Sequence, residues 1–68
     1  MRLKEIRKAK GISQLKLAME LNTSQNTISR YETGEREPGL AELVNIADYF
    51  DVSIDYLLER TDDPKINR

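Results

Sequence analysis

The chain has 68 residues, a net charge of −1 and neither cysteine nor histidine. A chain of this length forms one small domain with little room for an enclosed substrate cavity. Without Cys or His it lacks disulfides, zinc-finger ligands and the commonest general base, so we expect no cofactor and no metal. It also lacks a glycine-rich phosphate loop and a nucleophile–base pair, which argues against an enzyme. No apolar run approaches the length of a membrane span.

Charge is divided unevenly along the chain. Residues 1–36 contain eight Lys or Arg against four acids, a net charge of +4, while residues 37–68 contain three bases against eight acids, a net charge of −5. This asymmetry favours one face for an anionic partner and another face turned away from it. A dipolar surface without function would give the same pattern.

Two helices are predicted before residue 22. Residues 1–10 have apolar side chains at helical spacing, and Gly11 is suited to the left-handed conformation that ends a helix. Ser13 is a suitable N-cap for a second helix over residues 14–21. The inward-facing residues of the two helices are Leu3, Ile6, Ala9, Leu17, Ala18 and Leu21.

A third helix follows Ser24, which can cap its free amides. At 100° per residue, Ile28 and Tyr31 fall on one side of this helix. Polar side chains that can read base edges share an arc of about 140° on the other side. They are Gln25, Asn26, Ser29, Arg30 and Thr33. An ordinary amphipathic surface helix with a solvated face is the alternative interpretation.

The second half of the chain contains two more predicted helices. Residues 33–39 form a loop with two Gly and one Pro, and residues 40–50 form the fourth helix. Ser53 caps a short fifth helix over residues 54–59, and residues 61–68 are a polar tail or the start of a linker. The fourth helix has the broadest apolar face, made of Leu40, Leu43, Val44, Ile46, Ala47 and Phe50.

The second and third predicted helices carry the pattern of a helix-turn-helix. Ala18 is small where the two helices must cross, Asn22 stands at the turn and Ile28 fills the angle between them. With these features in this order, the segment of residues 11–38 resembles the Cro/phage-repressor (XRE) helix-turn-helix family. Residues 43–58 are similar to the fourth and fifth helices of the same family.

The five predicted helices, with no alternating strand pattern, indicate an all-α, compact five-helix domain over residues 1–60. The resemblance implies that this domain has the lambda-repressor-like DNA-binding fold. It implies a sequence-specific regulator of transcription that binds double-stranded DNA with its third helix in the major groove. By analogy we expect a repressor of prokaryotic or phage type, acting in the cytoplasm at the nucleoid. The alternative is a protein-interaction module of the same fold, such as an antirepressor or a bridging factor.

The resemblance also assigns roles to individual residues. The base-reading positions are Gln25, Asn26, Ser29 and Arg30. The positions that contact the DNA backbone are Gln14, Lys16, Ser24, Thr33 and Arg36. Arg7 and Glu32 match a structural ion pair of the family, although Arg7 could instead contact a phosphate in water.

Three features depart from the family pattern. Asn22 replaces the usual glycine at the turn, which the left-handed tolerance of asparagine permits. Glu35 and Glu37 flank the loop arginine and weaken its attraction for phosphate. Leu15 and Met19 occupy usually polar positions four residues apart, either as scattered surface residues or as a protein-contact patch.

We further expect a two-fold dimer, because one small module covers too little DNA to select a site in a genome. The candidate dimer surface consists of Tyr49, Ile54, Tyr56 and Leu57. Nearby acids (Asp48, Asp51 and Asp55) repel across a dyad, so the expected dimer is weak and completed by DNA. The alternative is that these apolar side chains close the core of a monomer. The chain could be a whole protein or an excised N-terminal module.

Overall fold

A computed structural model describes residues 1–65 of the chain. It contains five α-helices, in the order α1 (Leu3–Ala9), α2 (Gln14–Glu20), α3 (Gln25–Thr33), α4 (Leu40–Phe50) and α5 (Ile54–Leu57). Since no strand occurs between residues 1 and 65, the predicted all-α, five-helix class is confirmed. Every helix end agrees with its prediction to within two residues. Residues 66–68 of the predicted tail lie outside the described residues.

Three serines begin helices as the sequence predicts. The hydroxyl of Ser13 accepts a hydrogen bond from an amide of α2, and those of Ser24 and Ser53 do the same for α3 and α5. Each bond satisfies one of the amides that the first turn leaves free. Gly11, with φ of +71°, follows α1 in the left-handed conformation, and Gly34, with φ of +83°, ends α3 in the same way.

The core is a single apolar cluster to which all five helices contribute. Its buried members are Leu3, Ile6, Leu17, Ala18, Ile28, Tyr31, Ile46, Ala47, Phe50, Val52 and Leu57. α3 packs against both α1 and α2, while α4 packs against α5. The apolar side of α3, with Ile28 and Tyr31, is therefore packed in the core, and its opposite side is open to solvent.

Three residues predicted to face inward are exposed instead: Ala9, Leu40 and Val44. Leu40 is the first residue of α4 and is 75% exposed. Val44 lies about 100° around the helix from the centre of the buried stripe that contains Ile46 and Ala47. The apolar face of α4 is thus wider than the core that covers it.

Both ends of the described chain pack against α5. The amide of Arg2 donates to the carbonyl of Leu57 at 2.8 Å, and the amide of Ser53 donates to the carbonyl of Pro64 at 3.0 Å. The segment after α5 therefore lies along the domain as far as Pro64. None of the helices in residues 1–65 is both long and apolar enough to cross a membrane.

Candidate nucleic-acid interface

The turn between α2 and α3 depends on one left-handed residue. Asn22 has φ of +58°, a conformation that asparagine tolerates better than most residues with a side chain. The amide of Thr23 then donates to the carbonyl of Ala18 at 2.8 Å, which closes the end of α2. Ala18 and Ile28 are both buried between the two helices. These contacts hold α2 and α3 as one packed pair.

The base-reading face predicted on α3 is open to solvent. Gln25, Asn26 and Arg30 are exposed and Ser29 is half-buried. At 100° per residue, Asn26 and Arg30 lie opposite the buried Ile28, and Gln25 and Ser29 lie on the flank between the two sides. Within residues 1–65, the heads of these four side chains make no hydrogen bond to another side chain or to the backbone. Their donors and acceptors are thus available to a ligand that approaches this face.

Four of the five predicted backbone-contact residues already have side-chain partners within the protein: Lys16, Ser24, Thr33 and Gln14. Nζ of Lys16 lies 2.8 Å from Oε1 of Glu20, and this hydrogen bond and the charge of Glu20 raise the pKa of Lys16. Ser24 Oγ accepts from the amide of Thr27 at 3.1 Å and lies 2.8 Å from the hydroxyl of the same residue. Thr33 Oγ1 donates to the carbonyl of Arg30 at 3.2 Å. A phosphate must compete for the single O–H donor of Thr33, whereas the ammonium of Lys16 keeps further N–H donors beside its bond to Glu20.

Arg36 lies in the loop after α3, with Glu35 and Glu37 on either side, and all three residues are exposed. The amide of Arg36 donates to the carbonyl of Arg30 at 3.3 Å, which ties this loop to the last turn of α3. Exposed neighbouring acids and a base interact weakly in water. The loop therefore places one cation beside α3, with two acids close by.

The fifth backbone-contact candidate, Gln14, is the first residue of α2 and is half-buried. Its Nε2 donates a hydrogen bond to Oε1 of Glu32 at 3.0 Å. No sequence pattern indicates this bond, because the two residues are 18 positions apart and are polar residues of common types. The contact arises only from the packing of α2 on α3.

Arg7 and Glu32 form a buried ion pair. Nε of Arg7 lies 2.7 Å from Oε2 of Glu32, and the two side chains are 10% and 2% exposed. Burial by itself raises the pKa of Glu32, but hydrogen bonds from Arg7 and Gln14 and the charges of Arg7 and Lys4 outweigh it. The pKa of Glu32 therefore lies below its ordinary value, and the carboxylate is ionised at neutral pH. Burial leaves Arg7 little surface for a phosphate.

The candidate dimer surface needs one correction. Leu57 is 0% exposed and belongs to the core, so it cannot contact a second copy. The following residue, Leu58, is 39% exposed because the short α5 turns the neighbouring side chain outward. Ile54 and Tyr56 pack partly against the core, whereas Tyr49 is 40% exposed.

Other large apolar side chains also reach the surface. Leu58 and Leu43 line an open hollow of about 380 Å³ beside Arg36 and the loop after α3. On α2, Leu15 is 53% and Met19 70% exposed.

Within residues 1–65, no group of three or more His, Cys, Asp or Glu side chains is arranged to hold a metal ion.

Two short helices packed through a tight turn, with a polar outer face on the second helix, define a helix-turn-helix protein. Residues 3–57 match the helix-turn-helix family. The match covers 55 of the 68 residues, so the chain belongs to the XRE-type helix-turn-helix family. This family consists of DNA-binding domains of transcription regulators.

Several curated proteins are similar to this chain. The uncharacterized HTH-type transcriptional regulator YqaE of Bacillus subtilis (strain 168) is 39% identical over 64 residues, which cover 94% of this chain and 55% of YqaE. The cryptic phage CTXphi transcriptional repressor RstR of Vibrio cholerae is 41% identical over 59 residues, 87% of this chain and 53% of RstR. The HTH-type transcriptional activator BcrR of Enterococcus faecalis is 37% identical over 57 residues, 84% of this chain and 28% of BcrR.

The chain spans about half the length of YqaE and of RstR. The similarity to these relatives therefore concerns their helix-turn-helix domain and does not extend to the rest of their chains. No solved structure matches the chain.

Proposed function

We propose that this chain binds specific sequences of double-stranded DNA and regulates transcription by reading the major groove with α3. The observation that carries the proposal is the face made by Gln25, Asn26, Ser29 and Arg30, whose hydrogen-bonding heads have no partner within residues 1–65. Amide side chains pair with adenine and arginine pairs with guanine at major-groove edges. A solvated surface helix does not need this set of short, mostly uncharged heads.

Contacts with the DNA backbone would position α3 in the groove. We assign them to residues on both sides of the recognition helix: Gln14, Lys16, Ser24, Thr33 and Arg36. Such contacts set register and orientation and carry no sequence information of their own. Because two of these residues are cations, binding should weaken as salt rises.

Selection of bound duplexes from a random library tests the proposal. We expect a defined site, with an affinity for that site that exceeds the affinity for random duplex by about 10³-fold or more. Recovery of no common sequence, at low and at moderate salt, would contradict it. The selected site also gives the half-site spacing.

The working form is proposed to be a two-fold dimer on DNA. A single module buries about 600–1,000 Å² on DNA, and a dyad places two recognition helices in successive major grooves about 34 Å apart. The surface assigned to the second copy keeps Tyr49 and the exposed edges of Ile54 and Tyr56, with Leu58 in place of Leu57.

Repression is the proposed sign of regulation, acting at the nucleoid in the cytoplasm. RstR is named a repressor and BcrR an activator, so the relatives include both signs. A repressor needs only to occupy a site that polymerase must use. A domain that binds such a site specifically is sufficient for this. A reporter placed behind the selected site, measured with and without the protein, decides the sign.

A protein-interaction module is the second candidate, favoured by one observation. Leu15 and Met19 lie four residues apart on α2 and are more than half exposed. Such a pair could contact another protein. If that were the function, Arg30→Ala would leave partner binding intact, and the duplex selection would return no sequence.

A further inference from the structure

The carboxylate of Glu32 connects three helices of the domain, α1, α2 and α3. Oε2 accepts from Nε of Arg7 at 2.7 Å, and Oε1 accepts from Nη2 of Arg7 at 3.1 Å and from Nε2 of Gln14 at 3.0 Å. Arg7 also donates from Nη1 to the carbonyl of Ile12, in the turn before α2, at 2.8 Å. One carboxylate on α3 is therefore bonded to α1 and to the first residue of α2.

The chemistry of this contact fixes the orientation of the Gln14 carboxamide. An ionised carboxylate only accepts hydrogen bonds, so the NH₂ group of Gln14 must face Glu32 and its carbonyl must face away. The low pKa of Glu32 keeps the carboxylate ionised at neutral pH. An amide NH₂ has two N–H donors, and Glu32 accepts one of them.

The second N–H of Gln14 has no acceptor within residues 1–65. Gln14 is half-buried, so part of this residue is open to solvent or to a ligand. A free glutamine on a helix surface loses side-chain entropy when it binds a phosphate. A glutamine already held by a buried carboxylate has lost most of that freedom before binding.

We propose that Glu32 is a positioning residue for DNA, which holds one N–H of Gln14 and thereby presents the other to a backbone phosphate. Glu32 does not itself contact the nucleic acid. Because Glu32 belongs to α3, the phosphate donor and the base-reading face are held in one fixed relation. The inference rests on the proposed DNA-binding function and goes beyond it by assigning a role to a buried acid.

Nuclear magnetic resonance of the Gln14 side-chain amide tests the proposal directly in the unmodified chain. The two N–H protons give separate signals. We expect one to shift as Glu32 titrates in acid in the free protein, and the other to shift when the selected duplex is added. Two outcomes would overturn the proposal: neither proton follows Glu32, or neither responds to DNA.

A pH profile of DNA binding gives a second test with the variant Gln14→Glu. Its new carboxylate would lie beside Glu32, and two adjacent carboxylates raise the pKa of one of them. Arg7 and Lys4 of α1 are the charged groups near Glu32 in this cluster, and they oppose the rise without removing the repulsion. We expect at least about tenfold weaker binding than wild type at about pH 8, with recovery towards pH 5 as the pair shares a proton.

Leu15→Glu is the matched control, because it adds the same charge at the next residue, on an exposed position that does not contact Glu32. Its pH profile should run parallel to that of the wild type. If Gln14→Glu loses no more affinity than Leu15→Glu and follows the same profile, Glu32 does not position Gln14. Thermal unfolding of both variants shows whether they keep the fold. If a variant is unfolded, the amide experiment on the unmodified chain still tests the proposal.

Gln14→Met keeps the length of the side chain and removes both N–H donors. We expect about 3- to 10-fold weaker binding, the value of one net hydrogen bond, with an unchanged salt slope because a neutral amide releases no counterion. An unchanged affinity would overturn the proposal. If wild type binds no duplex at all, the proposed function fails and this inference with it. If wild type binds and the Gln14 signals ignore DNA, only this inference fails.

Discussion

The guanidinium of Arg2 lies 4.5 Å from the centre of the Tyr56 ring, over its face. Nε of the same arginine donates to the carbonyl of Tyr56 at 2.8 Å. Nη2 donates to the carbonyl of Thr61 and to Oδ1 of Asp62, both at 2.9 Å. The side chain of Arg2 thus contacts both α5 and the segment that follows α5, and it holds the two together.

Arg2→Ala should destabilise the domain by about 2–3 kcal/mol, because it removes a cation–π contact and several charge-assisted hydrogen bonds. Denaturant unfolding measures the loss. The amide of Ser53, which donates to Pro64, should also exchange faster with solvent. Arg2→Lys is the control, since a lysine keeps the charge but lacks the planar fork, and it should recover less than half of the stability. Equal stability of wild type and Arg2→Ala would show that the contact contributes nothing.

Glu32→Ala should cost about 3–5 kcal/mol of unfolding free energy, mainly because it leaves the buried charge of Arg7 without a partner. The double variant Arg7→Met with Glu32→Leu should lose less, since it removes both charges and keeps the volume. A loss below about 1 kcal/mol in Glu32→Ala is typical of exposed pairs and would contradict a buried ion pair.

The same carboxylate predicts how stability depends on pH. The pKa of Glu32 in the folded protein lies below its unfolded value, near 4.5. Its contribution is therefore fully present above pH 4.5 and is lost as the pH falls through the lower folded pKa. Unfolding free energies of wild type and Glu32→Gln, measured from neutral pH into acid, should converge over that acidic interval. Parallel curves would contradict the prediction.

Substitution of Arg30 and substitution of Lys16 should change DNA binding in different ways. Arg30→Ala should lose about 1–3 kcal/mol of binding free energy and relax preference at one base position. Lys16→Ala should weaken all duplexes alike and reduce the salt slope by about one unit. Equal weakening of selected and random duplexes by Arg30→Ala would make Arg30 a backbone contact only and leave base reading to Gln25, Asn26 and Ser29.

Sedimentation should find a weak dimer or monomer in free protein and two copies on the selected duplex. Leu58→Glu should reduce the two-copy complex, because it places a charge within the proposed apolar contact. Met19→Glu is the control, since Met19 is also a large apolar residue that is exposed, and it lies on α2. One copy per duplex, on a site without an inverted repeat, would contradict the dimer.

Local signals in the sequence were sufficient to predict the five helices. Ser13, Ser24 and Ser53 each satisfy free amides of the helix that follows them, and Gly11 adopts the left-handed conformation that ends α1. These effects act within a few residues of the chain, so a pattern at fixed spacing identifies them. The turn at Asn22 is equally local, although its match to the family pattern was needed to interpret it.

The direction of a side chain on a short helix depended on the tertiary structure. Leu57 and Leu58 are adjacent leucines, yet one is fully buried and the other is 39% exposed. Periodicity over four residues of α5 does not define a face, because one turn of helix samples every direction. The way α5 packs on α4 decides which leucine enters the core.

The polar contacts that tie distant parts of the chain together also depended on tertiary packing. Arg2 meets Asp62 across 60 positions, and Gln14 meets Glu32 across 18. The resemblance to the family indicated the pair of Arg7 and Glu32, but no local pattern indicates the other two. A hydrogen bond requires donor and acceptor within about 3 Å, and for residues far apart in sequence only the packing of the helices sets that distance.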